Sequence, residues 1–282
     1  NNILYCFDSI GDSQRTIQYL YDFLEKNPYS EIAWHQLGKQ YANDKMYEEA
    51  LSAFDFAIIS DDSFVGAYLE MAKILEKLNR INEAIEKYEI SIGINQPTSF
   101  ALFRIGRCHY KLGNDDLALS YFIQTIEEDP IHDKAWMSIA VHYFNKKDFN
   151  ESKINLIKAL EINSDKLKYW ELYIKINIKL ELFEDVELGV KEILSLGQLD
   201  INTLTFLTKT LIKIPNNNDL FKGLLKSINL FPKSAENEIN YLLSAIYFKL
   251  QEKENAVSHL KKAYFYNPSK YDYFKELFPI IP

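Results

Sequence analysis

The segment AWHQLGKQYANDKMYEEALSAFDFAI, residues 33–58, contains the pattern that decides the fold. Counted from Glu31 as the first position of a unit, apolar or small residues occupy positions 4, 7, 8 and 11, and then positions 20, 24 and 27. In this segment they are Trp34, Leu37, Gly38, Tyr41, Ala50, Phe54 and Ala57. The first four lie on one face of a helix, and the last three lie on one face of a second helix. The segment therefore predicts a helical hairpin with an apolar face.

The same pattern recurs with a 34-residue period. Position 8 is small in four successive units, which have there Gly38, Ala72, Gly106 and Ala140. Position 24 is large in the same units, which have there Phe54, Tyr88, Phe122 and Leu156. A single hairpin leaves an apolar face open and is stable only when it stacks on its neighbours. The sequence therefore predicts an all-α array of stacked hairpins.

About eight units account for nearly the whole chain. Four well-matched units cover residues 31–166, two degenerate units cover 167–234, and a last unit covers 237–270 after a slip of two residues. Residues 1–30 fit a partial first unit, and 271–282 form either a C-terminal capping helix or the start of a truncated unit. Because an array has no fixed domain size, length alone does not predict the number of domains.

This period and residue pattern resemble those of the tetratricopeptide-repeat family. The resemblance implies a right-handed α-solenoid, a superhelix in which the first helix of each unit lines a concave groove. It also implies that the chain is a non-catalytic scaffold that binds a peptide or a protein segment in that groove, without a cofactor.

Charge is distributed unevenly over the positions that the resemblance places along the groove, which are 2, 5, 6, 9, 12 and 13 of each first helix. Thirteen of these residues are basic: Lys39, Lys73, Lys77, Arg104, Arg107, Lys111, Lys134, Lys168, Lys175, Lys179, Lys209, Lys213 and Lys249. Only four are acidic: Glu70, Glu76, Glu171 and Glu238. The whole chain has a net charge of -8. A basic groove would favour an acidic partner, although lysines at position 13 are also favoured by the helix dipole without any ligand.

Aromatic residues locate the predicted site within the array. The candidate ligand-binding residues are Lys39, Lys73, Phe100, Phe103, Arg104, Arg107, Tyr110, Met137 and Phe144. Aromatic and arginine side chains dominate many binding interfaces, and arginine binds carboxylates or phosphates bidentately. The alternative is that some of these rings close the core between repeats.

No pattern of catalytic, metal-binding or cofactor-binding residues is present. His132 and His142 have no carboxylate or cysteine at a recognised ligand spacing. His109 replaces the aromatic residue of position 11, which is typical of a packed interior histidine. No run of 18 apolar residues exists that would span a membrane. The negative net charge of the whole molecule disfavours binding to nucleic acid.

Cys6 and Cys108 both occupy position 10 of their units, three repeats apart. With neighbouring helices about 8–10 Å apart, the two residues would be on the order of 30 Å apart, beyond the roughly 7 Å between Cα atoms that a disulfide allows. We therefore expect two free thiols and a reducing, cytoplasmic compartment. The chain begins inside a helical pattern at Asn1, which favours a segment of a longer protein.

Two other classes of function remain open from the sequence. Helical-repeat arrays also bind RNA, and the chain could be the adaptor or sensor part of a longer enzyme. The packing of the last helix is also open from the sequence. A capping helix should have a polar outer face, yet this helix has apolar residues at Tyr273, Phe274, Leu277 and Phe278. That helix either folds back onto the last unit, meets a partner or self-associates.

Overall fold

The computed structural model describes residues 13–197, 199–214, 217–228 and 236–279. Within these ranges the chain forms sixteen α-helices and one short 3₁₀-helix, and no strand. The prediction of an all-α chain is confirmed. The first half of the predicted partial unit, including Cys6, lies outside the described residues.

The helices follow the 34-residue period of the sequence. Six first helices of equal length begin one period apart: α2 (Glu31–Asn43), α4 (Val65–Lys77), α6 (Ser99–Lys111), α8 (Asp133–Asn145), α10 (Leu167–Lys179) and α12 (Ile201–Lys213). Six second helices, also of equal length, follow the same spacing: α1 (Ser13–Lys26), α3 (Tyr47–Ser60), α5 (Ile81–Ile94), α7 (Asp115–Glu128), α9 (Phe149–Ile162) and α11 (Phe183–Leu196). The remaining helices are α13 (Asn218–Ile228), α14 (Glu236–Lys249), α15 (Lys253–Tyr266), the 3₁₀-helix (Pro268–Lys270) and α16 (Tyr271–Leu277).

Several first helices are capped by the last residue of the preceding unit. The side chains of Ser30, Thr98 and Asp200 accept hydrogen bonds from backbone N–H groups two residues inside α2, α6 and α12. His132 does the same for α8, because its Nδ1 accepts from the Ala135 N–H at 3.1 Å. These bonds satisfy donors that a helix start otherwise leaves without partners. The position of His132 is thus explained by capping.

In three units, tryptophan occupies position 4, and its indole N–H bonds to the end of the preceding unit. The Nε1 groups of Trp34, Trp136 and Trp170 donate to the carbonyl oxygens of residues 28, 130 and 164, at 2.8, 2.9 and 2.7 Å. Each acceptor lies six residues earlier in the chain, so one ring fixes the connection between two hairpins. An indole N–H that is removed from water needs such a partner.

The turn between the two helices of a unit has a left-handed backbone at one recurring position. Lys45, Asn79, Gly113, Lys147 and Glu181 have φ between 59° and 77° and follow one another at the repeat period. Only glycine adopts this conformation without steric cost, and asparagine tolerates it better than most residues do. The repeat therefore imposes local strain wherever lysine or glutamate occupies the turn.

We expect Lys147→Gly to raise the free energy of unfolding by about 1 kcal/mol. The substitution removes left-handed strain of roughly 1–2 kcal/mol and adds unfolded-state entropy worth about 0.5–1 kcal/mol. The exposed Lys147 side chain leaves little packing to lose. Urea unfolding followed by circular dichroism would measure the change. Gly113→Ala, made in the equivalent turn, should lower stability, and a stability loss in both variants would contradict the expectation.

The contacts divide the chain into two compact units, residues 1–142 and 143–282. In the first compact unit, most residues that the repeat pattern assigns to the core are buried, whereas Trp34 and Tyr41 are half-buried. Leu37, Ala50, Phe54 and Ala57 are at most 1% exposed, and their counterparts in the next two repeats are likewise buried. The apolar faces predicted from the sequence are the faces that pack.

The second compact unit departs from the regular pattern at α14. Tyr241, Leu242 and Ala245 occupy positions 5, 6 and 9, which the family resemblance places along the groove, yet all three are completely buried. Helix α12 contributes leucines to the same apolar cluster, and the Phe274 ring of α16 stacks on Tyr241 with 4.6 Å between centroids. Packing from α12 and α16 therefore converts this surface of α14 into core.

The terminal helix folds back onto the last hairpin. Phe274 is 2% exposed and Phe278 is completely buried, whereas Tyr273 remains 56% exposed. Of the three alternatives for this apolar helix, packing on its own chain accounts for two of the rings. Tyr273 stays at the surface beside the cleft between α12 and α16.

Candidate functional site

Helices α4 and α6 of the first compact unit contact each other through three of the residues predicted to bind a ligand. Lys73 Nζ of α4 lies 5.2 Å from the centroid of the Phe100 ring of α6. Arg104 of α6 contacts Glu76 of α4. We call the residues at positions 2, 5, 6, 9, 12 and 13 of α2, α4 and α6 the first-helix surface. The structure brings Lys73, Phe100 and Arg104 together on it.

A buried carboxylate holds Arg104 in place. The Glu76 side chain is 4% exposed, and its Oε1 accepts from Arg104 Nε at 2.7 Å and lies 2.6 Å from Arg104 Nη2. The Tyr88 hydroxyl donates to the same oxygen at 2.9 Å. Burial, followed by the charge of Glu76, raises the pKa of Tyr88 above its usual range, so the phenol remains a neutral donor. Arg104 is 23% exposed and its charge is largely matched inside the fold.

Phe100 is an exposed ring of this surface that lies between two basic groups. It is 41% exposed, with Lys73 at 5.2 Å and the Arg104 Cζ at 6.0 Å from its centroid. Lys73 also forms an ion pair with Glu70 at 2.8 Å. Cations this close to a ring are weakly attracted by its π face. The arrangement keeps an apolar ring between two basic groups.

Arg107 and Lys39 are the basic residues of the first-helix surface best placed to meet a ligand. Neither forms an ion pair with an acidic side chain in the described ranges. Lys39 is exposed and Arg107 is half-buried. Tyr110, three residues beyond Arg107, is 44% exposed. Burial, and then the charge of Lys39, lowers the pKa of His35, so this histidine adds no positive charge near pH 7.

The other predicted site residues are more enclosed. Phe103 is 8% exposed, and its ring packs on those of Phe122 and His132, at centroid distances of 5.7 and 4.6 Å. Met137 is half-buried. Phe144 belongs to the second compact unit, where it is half-buried against Phe149. Of the predicted aromatic residues, Phe100 and Tyr110 therefore expose the most surface.

Sequence reasoning counted Glu76 as one acid among the surface positions and Tyr88 as an ordinary core residue. Their joint contact with Arg104 spans sequence separations of 12 and 28 residues, so no local motif reveals it. A usable clue is the pairing of an acid at position 12 with an arginine at position 6 of the next unit.

The described residues include no group of three or more His, Cys, Asp or Glu side chains that could hold a metal ion. Cys108 is completely buried, and burial, followed by the charge of Glu76, raises the pKa of its thiol to about 11. The thiol is therefore protonated at neutral pH. In the same ranges, no helix is both long and apolar enough to cross a membrane.

Helical hairpins that recur at a constant period, with small residues where their helices meet, define an α-helical repeat protein of the solenoid class. The chain contains tetratricopeptide repeats: models of the tetratricopeptide repeat match residues 100–130, 133–166 and 238–270. The anaphase-promoting complex subunit CDC16 of Saccharomyces cerevisiae is 22% identical over 268 residues, which are 94% of this chain and 28% of that protein. The chain thus spans little more than a quarter of the length of this relative.

Solved structures show the same fold. The C-terminal part of a TPR repeat-containing protein from Cytophaga hutchinsonii gives a TM-score of 0.68 at 13% identity, over 88% of this chain and 99% of that chain. The APC/C hetero-tetramer Cut9–Hcn1 gives a TM-score of 0.55 at 18% identity, over 92% of this chain and 48% of that chain. At these identities, the likeness concerns the helical-repeat fold alone.

Proposed function

We propose that this chain is a non-catalytic scaffold that binds an acidic segment of a partner protein on the first-helix surface of its first compact unit. Tetratricopeptide-repeat proteins generally mediate protein–protein interactions and assembly, and the repeats of this chain place it among them. The acidic character of the partner is inferred from the charges of α2, α4 and α6.

The excess of basic residues on this surface is the observation that carries the proposal. Six bases face two acids there: Lys39, Lys73, Lys77, Arg104, Arg107 and Lys111 against Glu70 and Glu76. Both acids already contact bases of the fold, Glu70 with Lys73 and Glu76 with Arg104. An acidic segment would therefore meet uncompensated positive charge, which raises association rates and discriminates against basic partners.

Phe100 and Tyr110 give the surface an apolar component beside the charges. Aromatic rings flanked by basic groups suit a segment in which carboxylates alternate with apolar side chains. Arg107 is the best residue for testing the proposal, because it forms no ion pair with an acidic side chain in the part of the chain that the structure describes. Arg104 is a poor probe, since its removal would leave Glu76 buried without its main partner.

Binding is expected to depend on the charge of the ligand and on Arg107. We expect a fluorescein-labelled peptide of alternating glutamate and leucine to bind about tenfold more tightly than its glutamine counterpart at low salt. The preference should shrink at about 1 M salt, where the Debye length is about 3 Å. Arg107→Glu should weaken binding of the acidic peptide by a further factor of about ten. Fluorescence anisotropy would measure all three effects.

The matched control is Lys158→Glu, which reverses a charge on the second helix α9, where the lysine side chain is 52% exposed. This variant should bind within about twofold of the parent chain. Equal affinity for the acidic and the neutral peptide at low salt would overturn the proposal. Equal weakening by Arg107→Glu and Lys158→Glu would show that net charge acts without a defined site.

A further inference from the structure

We propose a second binding surface, on the second helix α3 of the first compact unit, that docks a basic segment of a partner protein with two arginines three residues apart. The surface consists of the exposed side chains of Phe56 and Ile59 and of the carboxylates Glu49 and Asp55. We call these four residues the α3 face. They share no residue with the first-helix surface, so this proposal stands independently of the function proposed above.

The apolar part of the α3 face lies on the solvent side of the helix. Ala50, Phe54 and Ala57 point into the hairpin and are completely buried, whereas Phe56 is 48% exposed and Ile59 is 71% exposed. Residues three apart in a helix lie one above the other on the same side, so Phe56 and Ile59 form a continuous apolar strip. Contiguous apolar surface with a polar rim is typical of protein interaction sites.

The Phe56 ring is held in place from one side. It stacks on Trp34, with 4.6 Å between the ring centroids and an angle of 23° between the ring planes. Trp34 is itself fixed, because its Nε1 donates to the Pro28 carbonyl oxygen at 2.8 Å. Since almost half of the Phe56 side chain is exposed, the face that points away from Trp34 is open to solvent. The fold therefore presents an oriented aromatic face at the surface.

The charge around this ring is negative and is only partly balanced by the fold. Helix α3 contains the carboxylates Glu48, Glu49 and Asp55 and no lysine or arginine. Arg80 Nη1 lies 3.7 Å from Glu48 Oε2, whereas Glu49 forms no ion pair within the described ranges. Burial raises the pKa of Asp55 by more than the charge of Lys87 lowers it. A further cation beside Asp55 would therefore stabilise its ionised form.

An arginine fits this combination of groups better than a lysine does. The planar guanidinium stacks on aromatic faces and binds carboxylates bidentately, whereas the lysine ammonium is a compact and strongly hydrated charge. A cation over an aromatic ring is attracted by its π face, and the attraction increases as the pair is desolvated. A guanidinium over the open face of Phe56 would also lie close to Asp55, the next residue in the chain.

The spacing along α3 sets the spacing of the two arginines. Glu49 and Phe56 are seven residues apart in the helix, which is about 10 Å along the helix axis. Three residues of an extended segment also span about 10 Å. One arginine would thus pair with Glu49 while the other stacks on Phe56. An apolar residue after the second arginine would reach Ile59, one turn further along.

The test uses the full chain and a fluorescein-labelled hexapeptide of sequence Arg-Leu-Ser-Arg-Leu-Ser. In one counterpart citrulline replaces arginine, which removes the charge and keeps the planar group. In the other, lysine keeps the charge and removes the planar group. We expect the arginine peptide to bind about tenfold more tightly than the citrulline peptide and about threefold more tightly than the lysine peptide. Fluorescence anisotropy at low salt would measure the three affinities.

Two variants separate the ring from the charge. Phe56→Leu keeps an apolar side chain but removes the aromatic face, so the preference for arginine over lysine should disappear. Glu49→Lys should weaken binding of the arginine peptide about tenfold. The matched control is Glu127→Lys, which makes the same change of net charge at an exposed position of α7 and should bind within about twofold of the parent chain. Circular dichroism would verify that each variant is folded.

Equal affinities for the arginine and citrulline peptides would overturn the proposal. Equal weakening by Glu49→Lys and Glu127→Lys would also overturn it, because net charge would then act without a defined site. Arg107→Glu on the first-helix surface should not weaken the arginine peptide, and a loss of binding in that variant would place the peptide there instead. Sedimentation tests the other occupant: dimerisation of the parent chain that is lost in Phe56→Leu would assign the α3 face to a second copy and overturn the proposal.

Discussion

Arg104→Ala is expected to lower the free energy of unfolding by about 3 kcal/mol, because it leaves a buried carboxylate without its main partner. Glu76 is 4% exposed and accepts from Arg104 Nε at 2.7 Å. After the substitution, Tyr88 still donates to it at 2.9 Å, and the nearest remaining cation is Lys111, 3.9 Å away. Urea unfolding followed by circular dichroism and by tryptophan fluorescence would measure the loss.

Two further variants test whether the unpaired charge is the cause. Arg107→Ala removes an arginine one turn away in the same helix and should cost less than about 1 kcal/mol. Glu76→Gln, combined with Arg104→Ala, should restore more than half of the lost stability, because a neutral amide costs less to bury than a carboxylate. Equal losses for Arg104→Ala and Arg107→Ala would show that the network around Glu76 is not a main source of stability.

This network also changes how the charge of the surface should be counted. The sequence count treated Arg104 and Glu76 as independent charges along a groove, whereas the structure pairs them across two helices. Arg107, three residues later, can still contact a ligand. The repeat pattern places both arginines on the same helix. Only the packing of α4 against α6 determines that Arg104, and not Arg107, pairs with the buried Glu76.

The regular part of the fold can be predicted from the sequence, because each repeat has the same types of residue at the same positions. Small residues at position 8 and large residues at position 24 specify the hairpin, and the first helices begin at the predicted spacing. The irregular part cannot be predicted in this way. The burial of Tyr241 depends on α12 and α16 packing on α14, which are contacts between different units. The pattern of a single repeat carries no information about them, and the cleft beside Tyr273 is therefore visible only in the structure.

At position 8, a Cβ atom limits how closely the two helices of a hairpin can approach each other. A Cβ atom added to Gly106 would lie 2.7 Å from Phe122 Cε1 and 3.2 Å from the Ala118 carbonyl oxygen. Units with phenylalanine at position 24 have glycine at position 8, whereas those with Tyr88 or Leu156 have alanine there. The phenylalanine ring thus occupies the space that a methyl group would need.

Gly106→Val should therefore lower the free energy of unfolding by about 3 kcal/mol, at the upper end of the usual cost of overpacking a core. Gly93→Val is the matched control: no atom lies within 4 Å of an added Cβ there, so we expect a change of less than about 0.5 kcal/mol. Replacing Phe122 by leucine in a Gly106→Ala chain recreates the pair found at Ala140 and Leu156, and should recover stability relative to Gly106→Ala alone. Urea denaturation of the four variants would separate the effect of the contact with Phe122 from any effect of the valine side chain itself. A loss in Gly93→Val equal to that in Gly106→Val would contradict the role of the contact with Phe122, because helix propensity favours valine over glycine, whereas recovery by leucine would assign the loss to the contact between the two helices of the hairpin.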